Sequence, residues 1–344
     1  MLKVAILGAG SWGTALAHIA VENNNSTYLW VRRRESADEI IRTGENRPYL
    51  PGVKFSPKIN ISTNLEQVVS DADIVIMAVP SHAVRKMARQ IHSFLKEDVI
   101  VTSASKGIEL SSLKRMSQVL TEELQNVKKG NIVALSGPSH AEEVIRNLPT
   151  AIVAASSSQV AAQKVQDVLI NCNFRVYTNT DIIGVELGGA LKNVIAICSG
   201  ISDGLGFGDN TRAALMTRGI VEITRLGVKL GACPETFSGL SGIGDLIVTC
   251  GSNFSRNRKA GIDIGRGKTV KEVIQSTNMV IEGINTTKAT FILAQKHKVE
   301  MPITEQAYLV LFERKDPLVA VSSLMNRVGK HEHEDTISQR FITY

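Results

Sequence analysis

Apolar and polar residues follow two different patterns along the chain, and the change falls near residue 180. Before it, short and almost uninterrupted apolar runs alternate with helix-like stretches; the runs occupy residues 2–7, 27–31, 74–79, 99–103 and 132–136. Such runs are typical of parallel strands whose two faces are both covered by helices. The pattern predicts an α/β domain over residues 1–180, with a doubly wound, mostly parallel sheet of the Rossmann type.

After residue 180 the strand pattern fades, and apolar residues recur at helical spacing. Helices are predicted at residues 181–201, 210–230, 255–266, 283–298 and 302–313. We therefore expect an all-helical second domain over residues 181–330. The remaining segment, 331–344, contains His331-Glu332-His333-Glu334, which suggests a metal site at first sight, but we interpret it as a solvated polar tail.

The composition limits what the protein can do. Hydrophobic residues make up 43% and charged residues 21% of the 344 residues, as in soluble globular proteins. The net charge of +6 suits small anionic ligands, and the low aromatic content of 5% argues against nucleic acid as a partner. Lys192 and Asn193 interrupt the most apolar helical segment, and the N-terminal apolar run is too short for a signal peptide. We expect a cytoplasmic protein without a membrane span.

The four cysteines give no sign of a metal or redox site. Cys172, Cys198, Cys233 and Cys250 are widely separated, and none forms the close pair that binds zinc or carries out thiol exchange. They are predicted to be reduced packing residues, and no metal is expected.

A glycine-rich turn follows the first predicted strand. Its sequence is Gly8-Ala9-Gly10-Ser11-Trp12-Gly13, and helical spacing begins at the next residue. In this context Gly8 permits the tight turn, Gly10 lets the backbone approach a pyrophosphate, and Gly13 allows the helix to pack closely on the strand. The turn therefore predicts a dinucleotide site, with the anion at the helix N-terminus.

The end of the second strand bears on the choice between NAD and NADP. An NAD-specific site usually has an acidic residue there, whereas this chain has Arg32-Arg33-Arg34. Arginines at this place favour a 2′-phosphate and hence NADP. A solvated basic turn is the alternative interpretation, so both cofactors stay open.

Polar loops follow three further strands. They are Pro80-Ser81-His82, Ala104-Ser105-Lys106-Gly107 and Gly137-Pro138-Ser139-His140. Because ligands bind at the carboxyl ends of strands in such sheets, these loops are expected to face the nicotinamide and the substrate. His82 and His140 are interpreted as packed or solvated loop residues rather than catalytic ones.

One lysine lies inside an otherwise apolar helical segment. Lys192 follows Gly188 and Gly189, and helical side chains lean toward the N-terminus, so we expect a pocket beside its ammonium. Burial lowers the pKa of a lysine toward the range that is useful for proton transfer to a reduced carbonyl. The alternatives are a lysine that reaches the surface and one that forms an internal ion pair.

Polar residues gather in two later segments. In the sequence Ser252-Asn253-Phe254-Ser255-Arg256-Asn257, either Asn253 or Ser255 can cap the next helix, and Arg256 offers a planar fork for phosphate oxygens. This predicts a phosphate clamp, with an ordinary capped surface helix as the alternative. Asp245 lies in a glycine-rich segment, and its role as a ligand or as a turn former is open.

With these segments identified, the chain resembles the bacterial-type NAD(P)-dependent sn-glycerol-3-phosphate dehydrogenase family over residues 2–330. The resemblance is carried by eight segments: residues 8–14, 78–82, 105–109, 135–139, 191–193, 242–246, 255–257 and 280–283. The residue after Ser139 is often aromatic in that family but is His140 here, which puts the local packing in doubt.

The resemblance implies roles for individual residues. It implies cofactor contacts from Ser11, Trp12, Arg32, Arg33, Lys106, Ala141, Arg256, Val280 and Glu282. It implies substrate contacts from Lys106, Gly137, Ser139, Lys192, Asp245, Ser255, Arg256 and Asn257. Lys192 would be the proton donor and acceptor.

The function that follows is an oxidoreductase that interconverts dihydroxyacetone phosphate and sn-glycerol 3-phosphate by hydride transfer with NAD(P)H. The resemblance also suggests a homodimer that supplies glycerophospholipid synthesis. Two rival functions are a related dehydrogenase acting on a 3-hydroxy acid or sugar acid, and a non-catalytic redox sensor that binds the dinucleotide.

Overall fold

The computed structural model describes residues 1–277, 279–329 and 331–332. The strands are β1 (Lys3–Leu7), β2 (Ser26–Trp30), β3 (Asn60–Ser62), β4 (Ile74–Met77), β5 (Ile100–Ser103), β6 (Ile108–Glu109), β7 (Lys114–Arg115), β8 (Ile132–Ser136), β9 (Thr150–Ala155) and β10 (Phe174–Asn179). Eight of them form one sheet in the order β10-β9-β8-β5-β4-β1-β2-β3, while β6 and β7 form a separate hairpin. Neighbouring strands of the large sheet are parallel except β8 and β9.

The helices cover both faces of this sheet and then build the second half of the chain. They are α1 (Ser11–Glu22), α2 (Arg34–Thr43), α3 (Leu65–Val69), α4 (Val84–Ile91), α5 (Met116–Glu123), α6 (Ala141–Val144), α7 (Gln159–Leu169), α8 (Ile182–Gly204), α9 (Asp209–Lys229), α10 (Pro234–Phe237), α11 (Asp245–Gly251), α12 (Arg256–Gly265), α13 (Val270–Gln275), α14 (Glu282–His297), α15 (Pro302–Phe312) and α16 (Pro317–Met325). A π-helical turn, Leu240–Gly244, leads directly into α11.

The predicted fold class is confirmed: a mostly parallel, Rossmann-type sheet is followed by helices. All four residues of β4 and all four of β5 are buried. This burial explains why both strands could be recognised in the sequence as short runs of mostly apolar residues. In this order, β1 lies between β2 and β4, so the chain runs outward from β1 in both directions. This reversal is the point where ligands bind in open α/β sheets.

Several predicted boundaries and elements differ from the structure. Strand β4 ends at Met77 rather than at residue 79, and α8 continues three residues beyond the predicted end, to Gly204. The pattern also missed three strands of the large sheet, β3, β9 and β10, the β6–β7 hairpin, and the short helices α10, α11, α13 and α16. Short helices escape a periodicity analysis because one or two turns carry too few apolar positions to define a stripe.

Helix α8 is the core of the helical half. Seventeen of its residues are buried. The helix is long and apolar enough to cross a membrane, but 78% of its most apolar window is buried inside the protein. Burial against other helices accounts for its apolar composition without a lipid environment.

The β6–β7 hairpin connects the two halves. It follows Lys106-Gly107 in the sheet half, yet Ile108 of β6 is buried in the same cluster as Leu191 of α8 and Ala289 of α14. The two halves are therefore interlocked through the chain segment that carries Lys106. The predicted domain boundary at residues 180 and 181 stays a prediction, and the predicted tail beyond residue 332 lies outside the described residues.

Candidate active site

The glycine turn has the geometry that a dinucleotide site requires. Gly8 has a φ of +115°, and a Cβ there would lie 2.7 Å from the Ala78 carbonyl oxygen. At Gly13 a Cβ would lie 1.8 Å from the Gly8 carbonyl oxygen. At Gly10, by contrast, a Cβ would meet no atom within 4 Å. Gly8 and Gly13 are therefore needed for close packing within the protein. Gly10 instead leaves open space at the N-terminus of α1, where an anion is stabilised.

A loop after α2 braces this turn. Asn46 is 2% exposed, and its Nδ2 donates to the Ala9 carbonyl oxygen at 2.9 Å and to Thr14 Oγ1 at 2.8 Å. Ser11 Oγ donates to the Tyr49 carbonyl oxygen at 3.1 Å. The sequence analysis missed Asn46, because a buried amide in a loop has no recognisable local signal.

The other predicted cofactor residues lie at the carboxyl ends of strands or at helix starts. Arg32 and Arg33 are exposed just after β2, and neither has a side-chain partner among the described residues. Ala141 is the first residue of α6, and Val280 precedes α14. The Trp12 indole nitrogen is buried and lacks a hydrogen-bond partner within the described part of the chain, while its ring packs against Phe174 at 6.4 Å between centroids.

Glu282 has a specific partner that the sequence did not indicate. It is the first residue of α14, and its two carboxylate oxygens accept hydrogen bonds from Ser81 N at 2.9 Å and Ser81 Oγ at 2.6 Å. Because Ser81 follows β4, this contact joins the helical half to the sheet half.

Lys192, Asp245 and Lys106 form a charged centre between the two halves. Lys192 of α8 donates to Asp245 Oδ1, and Lys106 donates to Asp245 Oδ2 at 2.8 Å. Lys106 also donates to the Gly137 carbonyl oxygen at 2.8 Å. Ser139 Oγ donates to that same oxygen at 3.0 Å, so five of the predicted substrate residues come together.

Burial sets the electrostatics of this centre. Asp245 is 1% exposed and Lys192 is 6% exposed. Burial lowers the pKa of Lys192 to about 8; the Asp245 carboxylate opposes this change, and the nearby Lys106 ammonium adds to it. Burial alone would raise the pKa of Asp245, but the two ammonium groups outweigh burial, and its pKa is lowered. The structure thus shows the internal ion pair that was one of the interpretations of Lys192, while the proton-transfer role stays a prediction.

The expected pocket over Gly188 and Gly189 is wrong. A Cβ at Gly188 would lie 2.4 Å from the Ser241 carbonyl oxygen, and one at Gly189 would lie 2.3 Å from Ser136 Oγ. These glycines allow close packing of α8 against its neighbours. The turn-forming alternative for Asp245 is also wrong, since this residue begins α11 and its side chain is fully engaged with the lysines.

The predicted phosphate clamp lies at the N-terminus of α12. Ser255, and not Asn253, is the cap: its Oγ accepts from Arg258 N at 3.2 Å. Asn257 is buried, donates to Asn193 Oδ1 at 2.8 Å and accepts from Gly283 N at 2.9 Å. Arg256 is exposed and has no side-chain partner among the residues that the structure describes, so its planar fork is available to an anion.

His82 is exposed in the loop after β4, whereas His140 is partly buried and packs against neighbouring groups. His140 lies 3.5 Å from the Val248 carbonyl oxygen, and its ring lies 5.9 Å from that of Phe254. Burial lowers the pKa of His140, and the positive charge of Lys192 lowers it further. The His140 ring thus packs beside the loop that leads into α12.

The cysteine prediction is only partly right. All four are free thiols, but Cys172 and Cys233 are exposed and do not pack in the interior. Among the described residues, no cluster of three or more potential metal ligands occurs.

The sequence analysis missed Thr249. Its Oγ1 accepts a hydrogen bond from Lys192 Nζ at 2.6 Å and donates to the Asp245 carbonyl oxygen at 2.6 Å. The available signal was its spacing of four residues from Asp245, which places both on one face of α11.

The fold and the site together define a class. A glycine turn with open space at Gly10 lies at the switch point of a mostly parallel sheet, and the buried Lys192 and the partly exposed Lys106 share Asp245 beside a loop at the carboxyl end of β8. This combination is that of a dinucleotide-dependent oxidoreductase, in which a lysine beside the cofactor cleft can exchange a proton with the substrate.

Comparison with known proteins identifies the family. Models described as the N-terminus and C-terminus of NAD-dependent glycerol-3-phosphate dehydrogenase match residues 3–162 and 181–322. The chain therefore belongs to the NAD-dependent glycerol-3-phosphate dehydrogenase family and is an NAD(P)-dependent enzyme.

Individual relatives agree over nearly the whole length. The chain is 54% identical over 331 residues to glycerol-3-phosphate dehydrogenase (NAD(P)+) of Thermoanaerobacter sp. (strain X514), covering 96% of this chain and 99% of that one. It is 51% identical over 338 residues to the Bacillus subtilis (strain 168) protein of the same name, covering 98% of both. A crystal structure of glycerol-3-phosphate dehydrogenase from Coxiella burnetii superimposes with a TM-score of 0.90 at 39% identity, covering 95% of this chain and 99% of that chain.

Proposed function

We propose that this chain interconverts dihydroxyacetone phosphate and sn-glycerol 3-phosphate, with Lys192 as the group that gives and takes the proton. The observation that carries the proposal is the buried centre in which Lys192 and Lys106 share the Asp245 carboxylate. Two ammonium groups and one carboxylate leave one net positive charge, which favours negative charge on a nearby carbonyl oxygen.

Lys192 is suited to the proton step by its environment. Its pKa of about 8 means that the protonated form predominates at neutral pH while the proton is easily released. In the reduction, Lys192 donates its proton to the oxygen at C2 of the substrate. In the oxidation, neutral Lys192 takes that proton back. Asp245 and Thr249 hold the ammonium in place through their hydrogen bonds to Nζ.

The phosphate group is assigned to the start of α12. The guanidinium of Arg256, together with backbone N–H groups at this helix N-terminus, would bind the phosphate oxygens. Asn257 connects this site to Asn193, whose Nδ2 donates to the Lys106 carbonyl oxygen at 3.3 Å. A phosphate held there orients the carbonyl toward the lysines, which lowers the entropic part of the barrier.

The cofactor is assigned to the glycine turn, and the residues present fit it. The open space at Gly10 and the free α1 N-terminus suit the pyrophosphate, and the exposed guanidinium groups of Arg32 and Arg33 favour the 2′-phosphate of NADP. When bound, the reduced nicotinamide supplies the hydride for the C2 carbon. We also propose a cytoplasmic homodimer that supplies glycerol 3-phosphate to glycerophospholipid synthesis.

A spectrophotometric assay tests the proposal. Purified protein is expected to oxidise NADPH when dihydroxyacetone phosphate is added, and a parallel assay with NADH measures the cofactor preference. Non-phosphorylated dihydroxyacetone is the substrate control, because loss of the phosphate contact predicts a much lower kcat/KM. Absence of turnover with both cofactors, in protein that binds NADPH, would refute the enzymatic function and favour a redox sensor. Equal turnover of dihydroxyacetone would refute the phosphate clamp.

A further inference from the structure

Two chemically identical contacts join the sheet half to the helical half. In each, a serine gives its backbone N–H and its hydroxyl to the two carboxylate oxygens of one glutamate. Ser81 contacts Glu282 at 2.9 and 2.6 Å, and Ser117 contacts Glu186 at 2.7 and 2.6 Å. The two serines are 4% and 7% exposed, so they are buried to a similar extent.

The contacts differ in what lies beside them. Ser117 is the second residue of α5, and its partner Glu186 lies in α8. Glu186 also accepts a hydrogen bond from Arg115. Ser81 instead lies against Gly107, the residue directly after Lys106. A Cβ at Gly107 would lie 2.6 Å from Ser81 Oγ and 3.2 Å from Glu282 Oε2. The Ser81 contact thus packs against the backbone that carries Lys106, whereas no such contact links Ser117 to the charged centre in the described residues.

The placement of Lys106 depends on that backbone. Its ammonium bridges the Gly137 carbonyl and Asp245, and its carbonyl oxygen accepts from Asn193. The next residue, Gly107, packs against the Ser81–Glu282 pair, and the one after that, Ile108, is anchored in the helical core. A shift of the Ser81–Glu282 pair would therefore move the Lys106 ammonium relative to Asp245 and Lys192.

We propose that Ser81 is a positioning residue for the reduction, which holds the Glu282 carboxylate against Gly107 and thereby fixes the Lys106 ammonium beside Asp245. The inference rests on the proposed function of the lysine centre. It assigns to Ser81 no contact with substrate or cofactor. Its effect passes through the Lys106 backbone, because Gly107 lies so close to the pair that an added Cβ would be 2.6 Å from Ser81 Oγ.

The experiment compares Ser81→Ala with Ser117→Ala. Each variant loses one serine-to-carboxylate hydrogen bond of 2.6 Å, and Ser117→Ala also loses the bond that Arg115 donates to Ser117 Oγ at 2.9 Å. We therefore expect Ser117→Ala to lower Tm at least as much as Ser81→Ala does. We expect Ser81→Ala to lower kcat about 10- to 100-fold, since misplacement of a catalytic group by a fraction of an ångström to 1 Å has effects of this order. Ser117→Ala is expected to keep kcat within about twofold of the wild type.

The pH profile gives a readout that a purely structural role would not change. The Lys106 charge helps to lower the pKa of Lys192. If Lys106 moves away in Ser81→Ala, the pKa of Lys192 rises, and the alkaline limb of kcat/KM for the reduction shifts to higher pH. Ser117→Ala is expected to leave that limb at the wild-type pH.

A second variant tests the same contact from the other side. Gly107→Ala introduces a methyl group 2.6 Å from Ser81 Oγ, so it is expected to lower kcat to a similar extent. The inference is overturned if Ser81→Ala keeps wild-type kcat, if both serine variants lower kcat equally, or if the alkaline limb of Ser81→Ala does not move. A wild-type protein without turnover of dihydroxyacetone phosphate would instead remove the proposed function itself, and this inference with it.

Discussion

The glycine turn and the lysine centre prepare for their ligands in opposite ways. The turn is local: six consecutive residues, 8–13, shape an anion site with backbone groups and with empty space at Gly10. The centre is assembled from Lys106, Lys192 and Asp245, which are separated by 53 or more residues along the chain. The geometry of the glycine turn depends on the lack of side chains at its glycines. The lysine centre depends on the interactions between charged side chains that are largely shielded from solvent. Substitutions should therefore affect the two regions in different measurable quantities.

The largest effect is expected at the centre. Lys192→Met keeps much of the side-chain volume but removes the ammonium, so kcat should fall by about 10²- to 10⁴-fold, the usual contribution of a general acid. NADPH affinity should be retained, because the glycine turn is untouched. Stopped-flow or steady-state kinetics with fluorescence titration of NADPH measure both quantities. Lys96→Ala, which removes a lysine from the ion pair with Asp73, is the control. Wild-type turnover in Lys192→Met would refute the assigned proton transfer.

The next effect separates binding from packing within one helix. Arg256→Ala should raise KM for dihydroxyacetone phosphate about 10- to 100-fold, the expected loss for one charge-assisted contact, with little change in Tm. Arg258 lies two residues further on and pairs with Asp203 at 2.7 Å, so Arg258→Ala should lower Tm instead. If KM rises equally in both variants, Arg256 has no special role in the clamp.

A smaller effect is expected at the glycine turn. Gly10 has a φ of −78°, and its Cβ position is open, so Gly10→Ala should fold with an unchanged Tm. The added methyl group enters the space assigned to the pyrophosphate, and NADPH affinity should fall by roughly tenfold. Isothermal titration calorimetry measures this affinity. Gly13→Ala is the contrast: its methyl group would lie 1.8 Å from a carbonyl oxygen, and the protein should be strongly destabilised. Undiminished NADPH affinity in Gly10→Ala would place the pyrophosphate elsewhere.

The smallest effect concerns pH in the unaltered protein. The reduction needs protonated Lys192, whose pKa in the ligand-free protein is lowered to about 8, so kcat/KM should fall to half its maximum near pH 8 and decrease further above it. The oxidation needs neutral Lys192, so its kcat/KM should rise over the same range. Rates measured from pH 6 to 10 in both directions test this. A reduction rate that stays constant up to pH 10 would show that Lys192 keeps its ordinary pKa.

Much of the sheet half could be predicted from the sequence because its signals are local. The buried apolar runs of β4 and β8 and the glycines at 8, 10 and 13 reflect constraints that act within a few residues. The N-terminus of α12 was also indicated locally, but the sequence left Asn253 and Ser255 open as its cap, and the structure shows that Ser255 is the cap. The antiparallel pairing of β9 with β8 could not be predicted in this way, because strand direction is decided by the partner and not by the run itself.

Only the tertiary structure decided how the charged centre works. The sequence singled out Lys192 as a lysine in an apolar helix, but its own neighbours Gly188 and Gly189 suggested a pocket where the fold has tight packing. Its pKa depends on Asp245, Thr249 and Lys106, which reach it only through folding. Likewise, Ser81 and Glu282 are 201 residues apart, and no local sequence pattern predicts the hydrogen bond between them. Local backbone conformation is determined by short segments of sequence. The pKa and the burial of a side chain depend on tertiary contacts with residues that are distant in the sequence.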